Sequence, residues 1–139
     1  MVGFIVGEKG KGKTKLLLDR VNAEVKNASG NIVYLDKSTK HMFELNNRIR
    51  LINVSDYGLS NGDEFLGFLT GIISQDHDLE QMYLDSFLKI SHLEGQELSA
   101  PFKRLNELSE KFDVDFILSL SMNAAQLPEE FSSQVITAL

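Results

Sequence analysis

Residues 2–14 read Val2-Gly3-Phe4-Ile5-Val6-Gly7-Glu8-Lys9-Gly10-Lys11-Gly12-Lys13-Thr14, an apolar run that gives way to a loop of three glycines and three lysines. Five apolar residues in a row suit a buried strand and are too few for a helix. Beyond the loop, Leu17, Leu18, Val21 and Val25 recur at helical spacing up to about Ser29-Gly30. The three parts together predict a strand, a tight glycine-rich turn and a helix, the opening unit of an α/β fold.

Outward from that unit the alternation continues. Apolar runs at 32–35, 49–54, 79–84 and 114–120 read as four more buried strands, five in all. Between them, Met42 and Leu45 suit a short helix over about 38–47. Phe65, Phe68, Leu69, Ile72 and Ile73 mark an amphipathic helix over 61–74. Ser99 is placed to cap a helix with Pro101 in its first turn and Phe102, Leu105, Leu108 and Phe112 facing inward. The expected fold is a three-layer α/β/α sandwich around a mainly parallel five-stranded sheet, a single domain over 1–139. In such sheets ligands bind beyond the carboxyl ends of the strands. Those ends carry Gly7, Asp36, Asp56, Asp85 and the polar residues Ser119, Ser121 and Asn123.

The loop satisfies G-x-x-x-x-G-K-[ST] at every fixed position, in the strand-before, helix-after setting that gives the motif meaning. Glycines let the backbone turn with positive φ, so that successive N–H groups face one concavity around phosphate oxygens. The start of the following helix adds unpaired donors and the positive end of its dipole. Gly7, Glu8, Lys9, Gly10, Lys11, Gly12, Lys13, Thr14 and Lys15 therefore form the expected nucleotide-binding segment. Lys13 supplies an ammonium to the β- and γ-phosphates, and the Thr14 hydroxyl a ligand for Mg²⁺.

With this loop the chain resembles the P-loop NTPase superfamily, whose Walker A motif it matches, and more broadly small bacterial ATP-binding proteins labelled twitching-motility (PilT-like). A twitching-motility ATPase proper carries a further N-terminal domain and acidic and histidine motifs, for which 139 residues leave no room. The resemblance implies ATP and Mg²⁺ as cofactors and a Walker B-like acid at a strand end, for which Met82-Tyr83-Leu84-Asp85 is the favoured match. Many hydrolytic members follow that acid with Glu, whereas Ser86 follows Asp85 here. Relatives resembling RecA place the base at the end of the strand after the first helix, the position of Asp36. The resemblance thus makes Asp36 the candidate base beside Lys13, Asp85 the Mg²⁺ partner with Thr14, and Ser119, Ser121 or Asn123 a sensor of the γ-phosphate. A turn or helix cap is the competing reading of Asp36. Asp56 is a weaker candidate, because Asp-Tyr-Gly is also an ordinary turn.

Three functions follow as expectations: slow Mg²⁺-dependent ATP hydrolysis, a nucleotide switch or sensor that hardly turns over, and a small-molecule kinase. Only four arginines are present and no Arg-bearing lid segment is recognisable, which disfavours the kinase. No N-K-x-D motif supports a GTPase. Arg48, Arg50 and Arg104 are candidates to complete a neighbour's site in a homo-oligomer, and the sequence does not rank them.

Composition narrows the remaining classes. A net charge of −6 disfavours nucleic acid and anionic lipid surfaces as partners. The first fifteen residues nevertheless carry +3 and the rest −9, a focus of positive charge suited to a small polyanion. The absence of cysteine excludes disulfides, zinc-thiolate sites and thiol nucleophiles. His41, His77 and His92 lack metal-ligand spacing. Neither a signal-peptide core nor a bilayer-spanning run is evident, so a cytoplasmic protein without membrane insertion is expected.

Overall fold

A computed structural model describes residues 1–139. In chain order the elements are β1 (Val2–Gly7), α1 (Lys13–Glu24), β2 (Asn31–Asp36), β3 (Ile49–Asn53), α2 (Gly62–Ser74), β4 (Leu79–Leu84), α3 (Phe87–Ile90), α4 (Ser99–Phe112), β5 (Asp115–Ser121) and β6 (Val135–Ala138). The strands form one sheet in the order β3-β2-β4-β5-β1-β6, with every neighbouring pair parallel.

Strand side chains alternate between the two faces, and both faces are covered, which is why the strands read as unbroken apolar runs. Ile5, Ile32, Tyr34, Tyr83 and Ile117 pack under α1 through Leu17, Leu18 and Val21. The opposite residues, among them Phe4, Leu35, Met82, Leu84, Phe116 and Leu118, pack against α2, α3 and α4. Phe102 of α4 joins that second layer to the sheet, with ring centroids 4.7 Å from Phe4, 6.1 Å from Phe87 and 5.3 Å from Phe131. Such pairs add about 0.5–1.5 kcal/mol each beyond the area they bury.

The sheet has six strands where the apolar runs predict five. The extra strand, β6, is short and half exposed, so it lacks the continuous burial that marks the others. Its seat is cut by glycine: a Cβ on Gly3 would stand 2.3 Å from Ile136 Cδ1, and one on Gly7 3.0 Å from Leu139 Cβ. A glycine inside a strand often marks such a close approach. The helix expected over 38–47 is only a single 3-10 turn at Met42–Glu44. Met42 and Phe43 are exposed there, Phe43 to 94%. Ser99 opens α4 rather than capping it, and its N–H donates to Glu97 Oε1 at 2.9 Å. Phe112, at the last turn of α4, is exposed with Lys111 Nζ 5.5 Å from its ring centroid. The other expected helices and strands form within a few residues of their sequence bounds.

Two consequences bear on function. Arg48 donates to the Val25 and Ala28 carbonyls at 3.0 and 3.2 Å, holding the far end of α1 by satisfying its free carbonyls. Its guanidinium is thereby committed within the chain. The chain also leaves β2 towards β3 and leaves β4 towards β5, in opposite directions across the sheet. Diverging connections open a crevice at the carboxyl ends of adjacent strands. No helix is long and apolar enough to cross a membrane.

Candidate functional site

A cavity of about 440 Å³ lies along those carboxyl ends. The loop between β1 and α1 contributes Lys9, Gly10 and Gly12, and α1 contributes Lys13 and Thr14. Lys37 follows β2, Asp85 and Ser86 follow β4, and Ser119 and Ser121 end β5. Leu88, the only apolar lining residue, Lys89 and Glu94 close the remaining side. Four lysines thus meet two carboxylates in a chain of net charge −6. The side-chain ion pairs lie elsewhere, at Lys15–Asp19, His41–Glu44 and Lys103–Glu130, so none of the four lysines is neutralised by a carboxylate within 4 Å.

The loop adopts the backbone its glycines permit. Gly10 and Gly12 have φ of 86° and 95°, in the left-handed region that a side chain strains, and no atom lies within 4 Å of where their Cβ would be. Both therefore leave open space. Lys13 is buried and donates to the Glu8 carbonyl at 3.1 Å, tying the first turn of α1 back across the loop. Burial pushes its ammonium pKa down, against the opposing pull of the Asp85 charge.

Beneath the loop, strand alternation brings Tyr34, Asp85 and Ser119 to the α1 face, Ser119 level with Asp85 and Tyr34 two residues lower, beside Tyr83. The Asp85 N–H donates to the Leu35 carbonyl at 2.9 Å, prolonging the ladder by one residue and fixing where the carboxylate stands. Asp85 is buried with both oxygens engaged. Its Oδ1 accepts from the Ser119 hydroxyl at 2.7 Å, the Ser86 N–H at 2.9 Å and the Thr14 hydroxyl at 3.2 Å. Its Oδ2 accepts from the Tyr34 hydroxyl at 2.9 Å. Burial first, and then the Asp85 charge, push the Tyr34 phenol pKa up, so that it remains a donor. Ser86 takes a left-handed φ of 52° and also donates its N–H to Ser119 Oγ at 2.8 Å. That strain, about 1–2 kcal/mol, is held by the two bonds made by one N–H.

The sequence candidates are thereby sorted. Lys9, Gly10, Gly12, Lys13, Thr14 and Asp85 line one cavity, whereas Gly7, Glu8, Lys11 and Lys15 do not. Gly7 is buried at the end of β1, and Lys15 points outward to Asp19 at 3.2 Å. Ser119 is committed to Asp85, while Ser121 lines the cavity and Asn123 caps a 3-10 turn. Asp56 lies in the turn after β3, away from the cavity. Sequence reasoning missed Tyr34 and Ser86 as partners of Asp85, and Lys37, Lys89 and Glu94 as cavity walls. The parity Ile32-Tyr34-Asp36, Tyr83-Asp85, Ile117-Ser119 was a usable signal for the first of these.

Asp36 is buried beside the cavity rather than on its lining. Its Oδ1 accepts the Lys37 N–H at 2.7 Å, and its Oδ2 has no hydrogen-bond partner. Burial pushes its carboxyl pKa up; the Lys37 N–H bond opposes the rise and the Asp85 charge adds to it. A raised folded pKa gives stability that is present below the unfolded value and lost as pH rises through the folded one. Asp36→Asn, which keeps the Oδ1 acceptor without the charge, is expected to raise the melting temperature at pH 7 by about 3 °C. At about pH 3, where the acid is neutral in the folded protein, the gain should vanish. Thermal denaturation at the two pH values checks this, and an equal gain at both would count against it.

Thr14 Oγ1 and Asp85 are the oxygen ligands available to a cation beneath the loop, and no group of three or more His, Asp or Glu side chains is arranged around them. Such a pair suits Mg²⁺, which keeps waters and takes phosphate oxygens beside one or two protein ligands. No protein-family model matches the chain, and no curated protein matches it.

Proposed function

We propose that this protein binds a nucleoside triphosphate, ATP in the first place, together with Mg²⁺ in the cavity above β1, β4 and β5, and hydrolyses it slowly. In this reading the parallel sheet is that of a P-loop domain of the RecA-like type. The observation that carries the proposal is the part-buried Thr14–Asp85 hydrogen bond under a left-handed glycine loop, with the buried Lys13 beside it. That arrangement sets a buried ammonium, two glycines of positive φ and a hydroxyl around one space, at the start of a helix.

The roles follow from the contacts. Backbone N–H groups of 8–13 and the start of α1 surround the phosphates, and Lys13 neutralises the β–γ charge. Thr14 and Asp85 would hold Mg²⁺, which would screen phosphate charge there. Tyr34, Ser119 and Ser86 hold the Asp85 carboxylate in place. Lys37 and Lys89 add positive potential that draws a polyanion into an acidic protein. Asp36, the base assigned from the resemblance, stands beside this space with one free oxygen. A sensor that turns over hardly at all is the second reading, favoured because both oxygens of Asp85 are engaged and Asp36 is off the cavity lining.

A ligand at 100 times its Kd stabilises the folded state by about 2.7 kcal/mol, which for a chain of this size is roughly 8–10 °C in melting temperature. A rise of that order is expected with saturating Mg-ATP, and a smaller one with ATP and EDTA. No rise with Mg²⁺ and any nucleoside triphosphate would sink the proposal. Phosphate release then separates the readings: turnover that disappears in Lys13→Ala favours hydrolysis, and its absence in wild type favours the sensor.

A further inference from the structure

Hydrolysis of a β–γ phosphate bond needs an oxygen base that can reach water at the terminal phosphate. Two carboxylates line the cavity, Asp85 and Glu94. Asp85 has three donors on Oδ1 and one on Oδ2, and its place is fixed beneath Thr14. Asp36 is buried off the lining, with its Oδ1 held by the Lys37 N–H. Glu94 differs from both. It is exposed, takes part in no ion pair or hydrogen bond, and stands on the segment between α3 and α4 just before Gly95, whose φ is 72°. Lys89, in α3, and Lys37 also line this cavity.

We propose that Glu94 is the catalytic base of the site, a role that rests on the nucleotide reading above. As a water oxygen bonds to the γ-phosphorus, Glu94 takes a proton from that water. The bond between the γ-phosphorus and the β–γ bridging oxygen breaks, and its electron pair leaves with the nucleoside diphosphate. Glu94 then gives the proton to solvent, so that one triphosphate and one water become a diphosphate, inorganic phosphate and a proton.

Glu94→Gln keeps the shape of the side chain and removes its capacity to accept the proton. Loss of a positioned base is expected to slow phosphate release by about 100-fold or more. The dissociation constant for Mg-ATP, measured by calorimetry, should stay within about threefold of wild type, with intact ATP recovered from the complex. Turnover at the wild-type rate in Glu94→Gln overturns the proposal. So does the reverse pattern, in which Asp36→Asn loses turnover and Glu94→Gln keeps it. A wild-type protein that binds Mg-ATP without hydrolysing it also overturns the role of Glu94 while leaving nucleotide binding standing. A wild type that binds no nucleoside triphosphate overturns both.

Discussion

Lys13→Ala is expected to abolish the rise in melting temperature produced by Mg-ATP while leaving the ligand-free protein at least as stable as wild type. The two halves of this result have one cause. Lys13 is buried with the Glu8 carbonyl as its hydrogen-bond acceptor, and burial pushes its pKa down. A folded pKa below the unfolded one means that folding disfavours the charged form, so the ligand-free protein carries a cost that Ala removes. The same desolvation makes the ammonium effective once phosphate replaces the missing water. Removing one member of a desolvated charge pair costs about 2–5 kcal/mol, equivalent to a loss of affinity of at least about 30-fold. Titration of wild type and variant with Mg-ATP, alongside thermal denaturation without ligand, measures both halves. Unchanged affinity in Lys13→Ala would remove the loop from the site.

Asp85→Ala carries the second large effect, and it strikes stability and binding together. Four donors lose Asp85 as acceptor at once, and although the Ser86 N–H keeps Ser119 Oγ, the fully buried Tyr34 hydroxyl and the buried Ser119 hydroxyl are left unpaired. Unpaired buried polar groups cost about 1–3 kcal/mol each. With Thr14 free to turn towards solvent, the sum is about 3 kcal/mol or more, or roughly 10 °C in melting temperature. Asp85→Asn separates the two roles. It keeps an acceptor for Ser119 and Ser86 but turns the other position into a donor facing the Tyr34 hydroxyl, so its loss of stability should be smaller. Its affinity for ATP in the presence of Mg²⁺ should fall to the value measured with EDTA. An Asp85→Asn protein that responds to Mg²⁺ as wild type does would leave the carboxylate a purely structural role.

The sheet was legible wherever burial on both faces wrote a continuous apolar run, as at 32–35 and 79–84. It was illegible at Val135–Ala138, where a half-exposed edge strand alternates instead. Gly3 was the indirect sign, since its missing side chain makes room for Ile136. Local pattern misled at 38–47, because of the expected apolar pair only Leu45 packs against the core under α1, while Met42 and the neighbouring Phe43 are exposed. At Phe112 the helical period was right, but the ring stands exposed at the last residue of α4.

The sequence by itself determined the strand–loop–helix unit of 2–24, because the glycines at 10 and 12, the lysine at 13 and the flanking periodicities act over a few residues. It also determined which residues end the strands. Which of those ends meet was decided only by the order β3-β2-β4-β5-β1-β6, a property of packing between segments far apart in the chain. That order sets Asp85 against Thr14, 71 residues away, and against Ser119, 34 residues away. It also leaves Asp36 buried off the lining and brings Lys37, Lys89 and Glu94 to the cavity wall. The physical reason is that a loop's conformation is local, whereas the partner of a buried carboxylate is chosen by the sheet.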